Sequence, residues 1–297
     1  MGTPPEPHQY SFYRLSTIGW ANPLLRQTLA LLGKDTSQAV LIDLSSVVFF
    51  DSFGLTYLAA CLDRCLARPD TPKVLIRPPK RSNVNQHLQN TGFYEAIGLG
   101  DQFQAREPNK DRVDLVHIKT LEPLFIDGLL DFLEGVQPFA PGLKPSMRMA
   151  LLELVQNFAD HSSSVSGAWA SGHKYQGRIT LCLLDLGQGI PNSLRGVQKY
   201  QRMRDPTLIH LSTEDGVSAA ATSRGRGLHM IRRFVRANDG TMTIISGEGR
   251  VRFRPDRKPT RDYIDGFFPG TAVFLSLVPT KRGLFVFGDE EENNDAH

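Results

Sequence analysis

The sequence predicts an α/β protein made of two successive units. Three observations carry this. Residues 40–100 alternate strand, helix, strand and helix at lengths that suit a compact α/β domain. The segment LLELVQNFADHS has helical spacing with one polar arc, and RITLCLLDLGQGIP is an apolar strand that ends on a carboxylate and two glycines. With 297 residues, the chain has length for about two domains.

In the first unit, AVLIDLSSVVFF reads as strand. DSFGLTYLAACLDRCLA follows as an amphipathic helix with Leu55, Leu58, Leu62 and Leu66 on one stripe, and Asp51 or Ser52 suits its N-cap. KVLIRPP is a second strand, and VNQHLQNTGFYEAIGL a short helix ending near Thr91-Gly92. The polar AREPNKDR marks a boundary, which divides the chain into residues 1–108, residues 109–280 and an acidic, disordered tail from 281 to 297.

The second unit opens with a strand, VDLVHIKT, and a helix, LEPLFIDGLLDFLEGV; PFAPGLKP then turns the chain. On the next helix, Glu153, Asn157, Asp160 and His161 fall within an arc of roughly 100°. Leu151, Leu152, Leu154, Val155 and Phe158 fill the other side. In the strand that follows, Ile179, Leu181, Leu183 and Asp185 share a face, so Asp185 continues a buried surface and needs donors. The amino group of an adenine is one such donor, and Gly187 and Gly189 admit a flat ligand close to the backbone. Residues 191–223 are polar, with Gly216 and Ala219 to Ala221 suggesting a mobile lid that contains a short helix. TSRGRGLHMIRRFVRANDG places Gly225 and Gly227 before a helix, where backbone amides favour phosphate oxygens. RVRFRPDRKPTRDY reads as a loop or hairpin extension, and in PGTAVFLSLVP the pair Gly270-Thr271 opens an apolar strand.

The bulk properties narrow the function classes. No apolar run approaches the ~18 residues of a membrane span, and MGTPPEPHQY has neither a signal peptide's pattern nor that of a myristoylated start. Three cysteines read as buried thiols in a reducing, cytoplasmic setting. The eight histidines lack paired ligand spacing, and no structural zinc is expected. Net charge is only +3, yet residues 190–262 hold fifteen Lys or Arg against seven Asp or Glu. Arg195, Lys199 and Arg224 are candidates to screen phosphate charge, with nucleic acid as the competing, less favoured explanation.

Taken together, ELVQNFADH, DLGQGIP, RGRGL and PGT resemble the N box, the two glycine boxes and the closing motif of the Bergerat-fold (GHKL) ATPases. That group includes DNA gyrase, histidine kinases and anti-sigma-factor serine kinases. The resemblance spans roughly residues 112–279 and implies a sandwich in which a mixed sheet packs against helices. It implies ATP and Mg2+ as cofactors, with Asn157 holding the metal and Glu153 orienting or deprotonating the nucleophile. Asp185 would read the adenine beside Gly187, Gly189 and Ile190. Arg224, Gly225, Arg226, Gly227 and Leu228 would hold phosphates, with Thr271 closing the site. Asp160 and His161 join the set; His161 equally suits the helix C-terminus. Ser223 stands where the longer second box would have a first glycine.

Residues 10–105 look like a STAS domain, the fold of anti-sigma-factor antagonists, on VLIDLSSVVFFDSFGLTYLAA and TGFYEAIGLGDQF. Phosphorylated members carry the acceptor serine just before the glycine of an Asp-Ser-Ser-Gly turn. Here the turn reads Asp51-Ser52-Phe53-Gly54, so Phe53 takes that place and Ser52 is a shifted candidate. These likenesses imply an ATP-dependent serine/threonine kinase or ATPase in a partner-switching circuit, with a sigma-regulator-like or other STAS or kinase protein as partner and a homodimer allowed. The alternatives are a catalytically slow ATP-gated interaction switch and, more weakly, a nucleic-acid-handling ATPase.

Overall fold

The computed structural model describes residues 8–11, 14–15, 40–67, 74–100, 112–119, 123–161, 167–175, 177–217, 226–279 and 283–286. Within these it is a mixed α/β protein containing both parallel and antiparallel sheets. In the N-terminal part, β1 (His8–Ser11), β3 (Val40–Asp43) and β5 (Val74–Arg77) form a parallel sheet, and β2 (Arg14–Leu15) pairs with β4 (Phe49–Phe50). Helix α1 (Ser52–Leu66) starts at Asp51, whose carboxylate accepts the Gly54 N–H at 2.8 Å. Of the two cap candidates, Asp51 does the capping. Helices α2 (Ser82–Asn90) and α3 (Phe93–Ala96) then break at Gly92, in the left-handed region at φ 77°.

The larger sheet has the order β6-β7-β8-β10-β9, from β6 (Arg112–Ile118), β7 (Ala168–Tyr175), β8 (Arg178–Asp185), β9 (Thr241–Arg254) and β10 (Arg257–Leu277). Every pairing in it is antiparallel, which corrects the expected mixed sheet. Helices α4 (Pro123–Glu134), α5 (Leu143–His161) and α8 (Gly227–Ala237) share one apolar cluster with one face of that sheet. Ile179, Leu181 and Leu183 point to this side. The basic RVRFRPDRKPTRDY segment is the outer part of the long β9–β10 hairpin, as its lack of a helical stripe suggests.

The opposite face of the sheet is covered too, by α1. Residues 52–62 of α1 are buried without interruption, which corrects the amphipathic expectation. A helix apolar on all sides belongs between two layers. Here the layers are the N-terminal strands and the five-stranded sheet, whose Trp169, Cys182, Leu184 and Phe268 share a cluster with Ile42, Phe53 and Tyr57. Strand β8 is therefore apolar on both faces, as its unbroken LCLL run requires.

A polar seam fixes the position of α1. Ser52 Oγ lies 2.7 Å from His173 Nδ1 and 2.9 Å from Thr180 Oγ1, and Thr56 Oγ1 lies 2.8 Å from Ser171 Oγ. Burial, helped by His87 and Arg112 nearby, pushes His173 down to about 3, so its ring is neutral. Ser52 and Phe53 are both fully buried. Ser52, the shifted acceptor candidate, is thus a seam residue closed off from solvent.

The segment expected as a mobile lid is folded over residues 189–217. It holds α6 (Gly189–Arg195), a 3-10 turn (Gln198–Tyr200) and α7 (Asp205–Leu211), with Leu194, Tyr200 and Leu208 as a small core. Residues 218–225 lie outside the described set. Phe285, which the expected tail included, is fully buried among Phe139 and Phe234, and Asn238 brackets Val286 with two hydrogen bonds. Cys61, Cys65 and Cys182 are buried free thiols. Among the described residues no helix is long and apolar enough to cross a membrane.

Because the two parts share one apolar cluster, they should unfold together. Trp169 fluorescence and far-ultraviolet circular dichroism are expected to report coincident urea transitions. Phe53→Ala should lower stability by about 3–5 kcal/mol; two separate transitions would contradict the shared core.

Candidate functional site

A cleft opens between α5, the β8–α6 turn, α8 and the start of the inner half of β10. Its walls include Glu153, Asn157, Phe158, Asp185, Gly189 and Ile190, with Gly227, Leu228 and Thr271 opposite. Eight residues that the sequence motifs single out, scattered from position 153 to 271, thus meet around one space among its fourteen lining residues. Gly187 adjoins them through its backbone. The side chains of Asp160 and His161, and Arg224 and Gly225 entirely, lie outside the described residues.

Asp185 forms the floor. Only 4% of its surface is exposed. Gly187 N–H donates to Oδ1 at 2.6 Å and Thr271 N–H to Oδ2 at 3.1 Å. These amides favour the charged form, but burial outweighs them and raises the carboxyl to about 7. The register places Thr271 directly across from Asp185, so the antiparallel β8–β10 pairing delivers the second donor.

The glycines here serve the protein's own packing. Gly189 (φ 78°) sits where a Cβ would come within 2.7 Å of both Gly270 O and Ser246 Oγ. Gly270 (φ 102°) sits where one would come within 2.2 Å of Asp185 O. Both need the backbone freedom of glycine, and both face neighbouring chain segments, Gly189 also lining the cleft. Ser246 ties them together: it donates to Gly270 O at 2.6 Å and accepts from Ile190 N–H at 2.9 Å. Sequence reasoning misses Ser246, one of three hydroxyl residues in β9 and with no motif around it.

Glu153 reaches across to α8. Its Oε1 accepts the Arg226 N–H at 2.9 Å, at the helix N-terminus. Gly227 allows this approach, since a Cβ there would lie 3.0 Å from Ala150 O and 3.2 Å from Glu153 Cβ. The Arg226 guanidinium instead pairs with Asp215 at 3.3 Å on the surface. Asn157 lines the same wall one helical turn beyond Glu153.

Two expected phosphate-screening cations are engaged elsewhere. Arg195 forms a hydrogen-bonded ion pair with the buried Asp205, which also accepts the Glu248 N–H at 2.8 Å. Lys199 lies over the Tyr200 ring at 4.6 Å. Both hold the 189–211 segment together. No group of three or more His, Cys, Asp or Glu among the described residues could hold a metal ion by itself. A metal at Asn157 would therefore need most of its ligands from a bound molecule and water.

The chain matches no family model, no curated protein and no solved structure.

Two outcomes follow from this geometry. Gly270→Ala should destabilise the fold by several kcal/mol, through strain at positive φ and collision with Asp185 O. Asp185 binds its proton more tightly when folded than when unfolded, so its contribution is complete below about pH 4. It is lost as pH rises to about 7. The gap amounts to on the order of 4 kcal/mol. Urea midpoints of wild type and Asp185→Asn should therefore diverge from pH 4 to 7, with wild type weakening; parallel curves would contradict a raised Asp185.

Proposed function

We propose that the chain binds Mg-ATP in this cleft and uses it as a serine/threonine kinase or ATPase in a partner-switching circuit. In this proposal residues 109–280 are a Bergerat-type unit and the N-terminal part is STAS-like. The observation that carries the proposal is the buried Asp185 carboxylate at the floor of a cleft that also gathers Glu153, Asn157 and Thr271. A carboxylate acceptor in a mostly apolar slot suits the exocyclic amino group of adenine. Three helices backing one face of the five-stranded sheet support such a unit, while its all-antiparallel pairing departs from the mixed sheet that the resemblance implies.

Within this proposal, Mg-ATP when bound supplies the phosphoryl group and the cation that screens its charge. Asp185 orients the base, and Thr271 N–H fixes the Asp185 carboxylate. Asn157 offers an amide oxygen toward a metal, and the amides at the start of α8 face the phosphate end of the cleft. Glu153 takes a proton from water or a hydroxyl, one helical turn from Asn157.

A second reading, an ATP-gated interaction switch with little turnover, is favoured by the burial of Phe53 and Ser52. The chain's own STAS-like turn presents no accessible acceptor, so phosphoryl transfer to that turn is blocked. Steady multiple turnover by the wild type would remove this second reading.

Glu153→Gln keeps an oxygen for the Arg226 N–H but loses the base. It should cut turnover by about 10²-fold or more with nucleotide affinity nearly unchanged. Calorimetry and phosphate release separate the two effects, and lost binding would refute the assigned role. Affinity for ATP should rise with pH up to about 7, by as much as tenfold per pH unit, then level off as Asp185 ionises. No uptake of any adenine nucleotide with magnesium would end the proposal.

A further inference from the structure

Helix α1 touches the back of the candidate site at two points. Arg64, near its C-terminal end, donates from Nη1 to Leu186 O at 2.8 Å. Leu186 lies between Asp185 and Gly187, the residue whose amide holds Asp185. The other point lies under the β10 strand. Phe268 is fully buried, with its ring 4.9 Å from that of Tyr57 and 6.2 Å from that of Phe53. Phe268 sits at an irregularity in the β9–β10 register, three residues before Thr271, the second donor to Asp185. Both donors that aim the carboxylate therefore belong to segments gripped from behind by one N-terminal helix.

We propose that α1 is a positioning element for this site, with Arg64 its key residue, and that losing the Arg64–Leu186 contact weakens and despecialises nucleotide binding. This rests on the Mg-ATP reading of the cleft. A guanidinium on Leu186 O sets the tilt of the Leu186–Gly187 peptide, whose N–H makes the shorter of the two amide bonds to Asp185. Linkage makes the effect reciprocal: a ligand that tightens the Asp185 loop also tightens the seat of α1. Within this proposal, α1 acts on the site from the sheet face opposite α5.

The test compares full-length wild type, Arg64→Ala and Arg64→Lys. In Arg64→Ala, hydrogen exchange at the Gly187 and Thr271 amides should accelerate, with or without nucleotide. Calorimetry should show ATP binding weakened by about tenfold and the preference for ATP over GTP reduced by a similar factor. Arg64→Lys, which keeps a donor, should restore part of both. Unchanged amide exchange would overturn the proposal whatever nucleotides do, and equal weakening of ATP and GTP would overturn it as general loosening. If wild type binds no nucleotide, the Mg-ATP reading fails, while the amide exchange still decides whether Arg64 clamps the loop.

Discussion

A nearly buried carboxylate with only backbone amides for company constrains much of this structure. Asp185 ends a strand that is apolar on both faces, and little water reaches it to stabilise its charge. Two amides must then be supplied at fixed positions, from Gly187 just beyond it and from Thr271 across the ladder. Supplying them brings three backbone segments closer together than side chains would permit. Gly189 and Gly270 relieve that crowding, and Ser246 bonds to the segments carrying both. A raised proton affinity is the residual cost of an environment that two amides do not fully offset.

The sequence reveals the elements of this arrangement better than their purposes. Period-two and helical spacing locate β8, α5 and α8, because each buries an apolar face whose pattern is local. The sequence marks Gly187 and Gly189 as places of close backbone approach and Gly270 only as the start of a strand, whereas positive φ falls on Gly189 and Gly270. Their neighbours are Ser246 and the Asp185 carbonyl, however, and only the tertiary register brings those together. Ser246 and Arg64 leave no local trace: one hydroxyl in a strand and one arginine on a helix resemble many others. The unbroken burial of α1 was misread for a related reason. Leu55, Leu58, Leu62 and Leu66 form one apolar stripe, and the small Ala59, Ala60 and Cys61 beside it signal burial only once a second sheet lies against them.

That second sheet changes what Phe53 means. At the place where an acceptor serine would sit in the resemblance, the chain has an aromatic ring stacked on Tyr57 and leaning on Phe268. A serine there would remove a ring from the middle of the shared cluster and leave a hydroxyl facing apolar side chains. Burial of this size contributes on the order of 2–3 kcal/mol. Packing against the five-stranded sheet and presenting an acceptor are incompatible demands on this position, and Phe53 serves the first.

The same reasoning applies to Glu153, where two roles compete for one carboxylate. The start of α8 offers exposed amides and the positive end of a helix dipole, and Glu153 takes the Arg226 N–H. Any phosphate drawn to that end meets the negative charge of Glu153 at close range. Either the phosphate carries a cation that screens the repulsion, or Glu153 swings away from α8 and gives up its bond. In the first case, the cleft-lining amide nearest along the helix is Asn157, one turn from Glu153. In the second, the freed carboxylate becomes available as a base only once the anion has arrived. Both routes make Glu153 respond to what occupies the cleft, and Gly227 keeps the two helices close enough for that response.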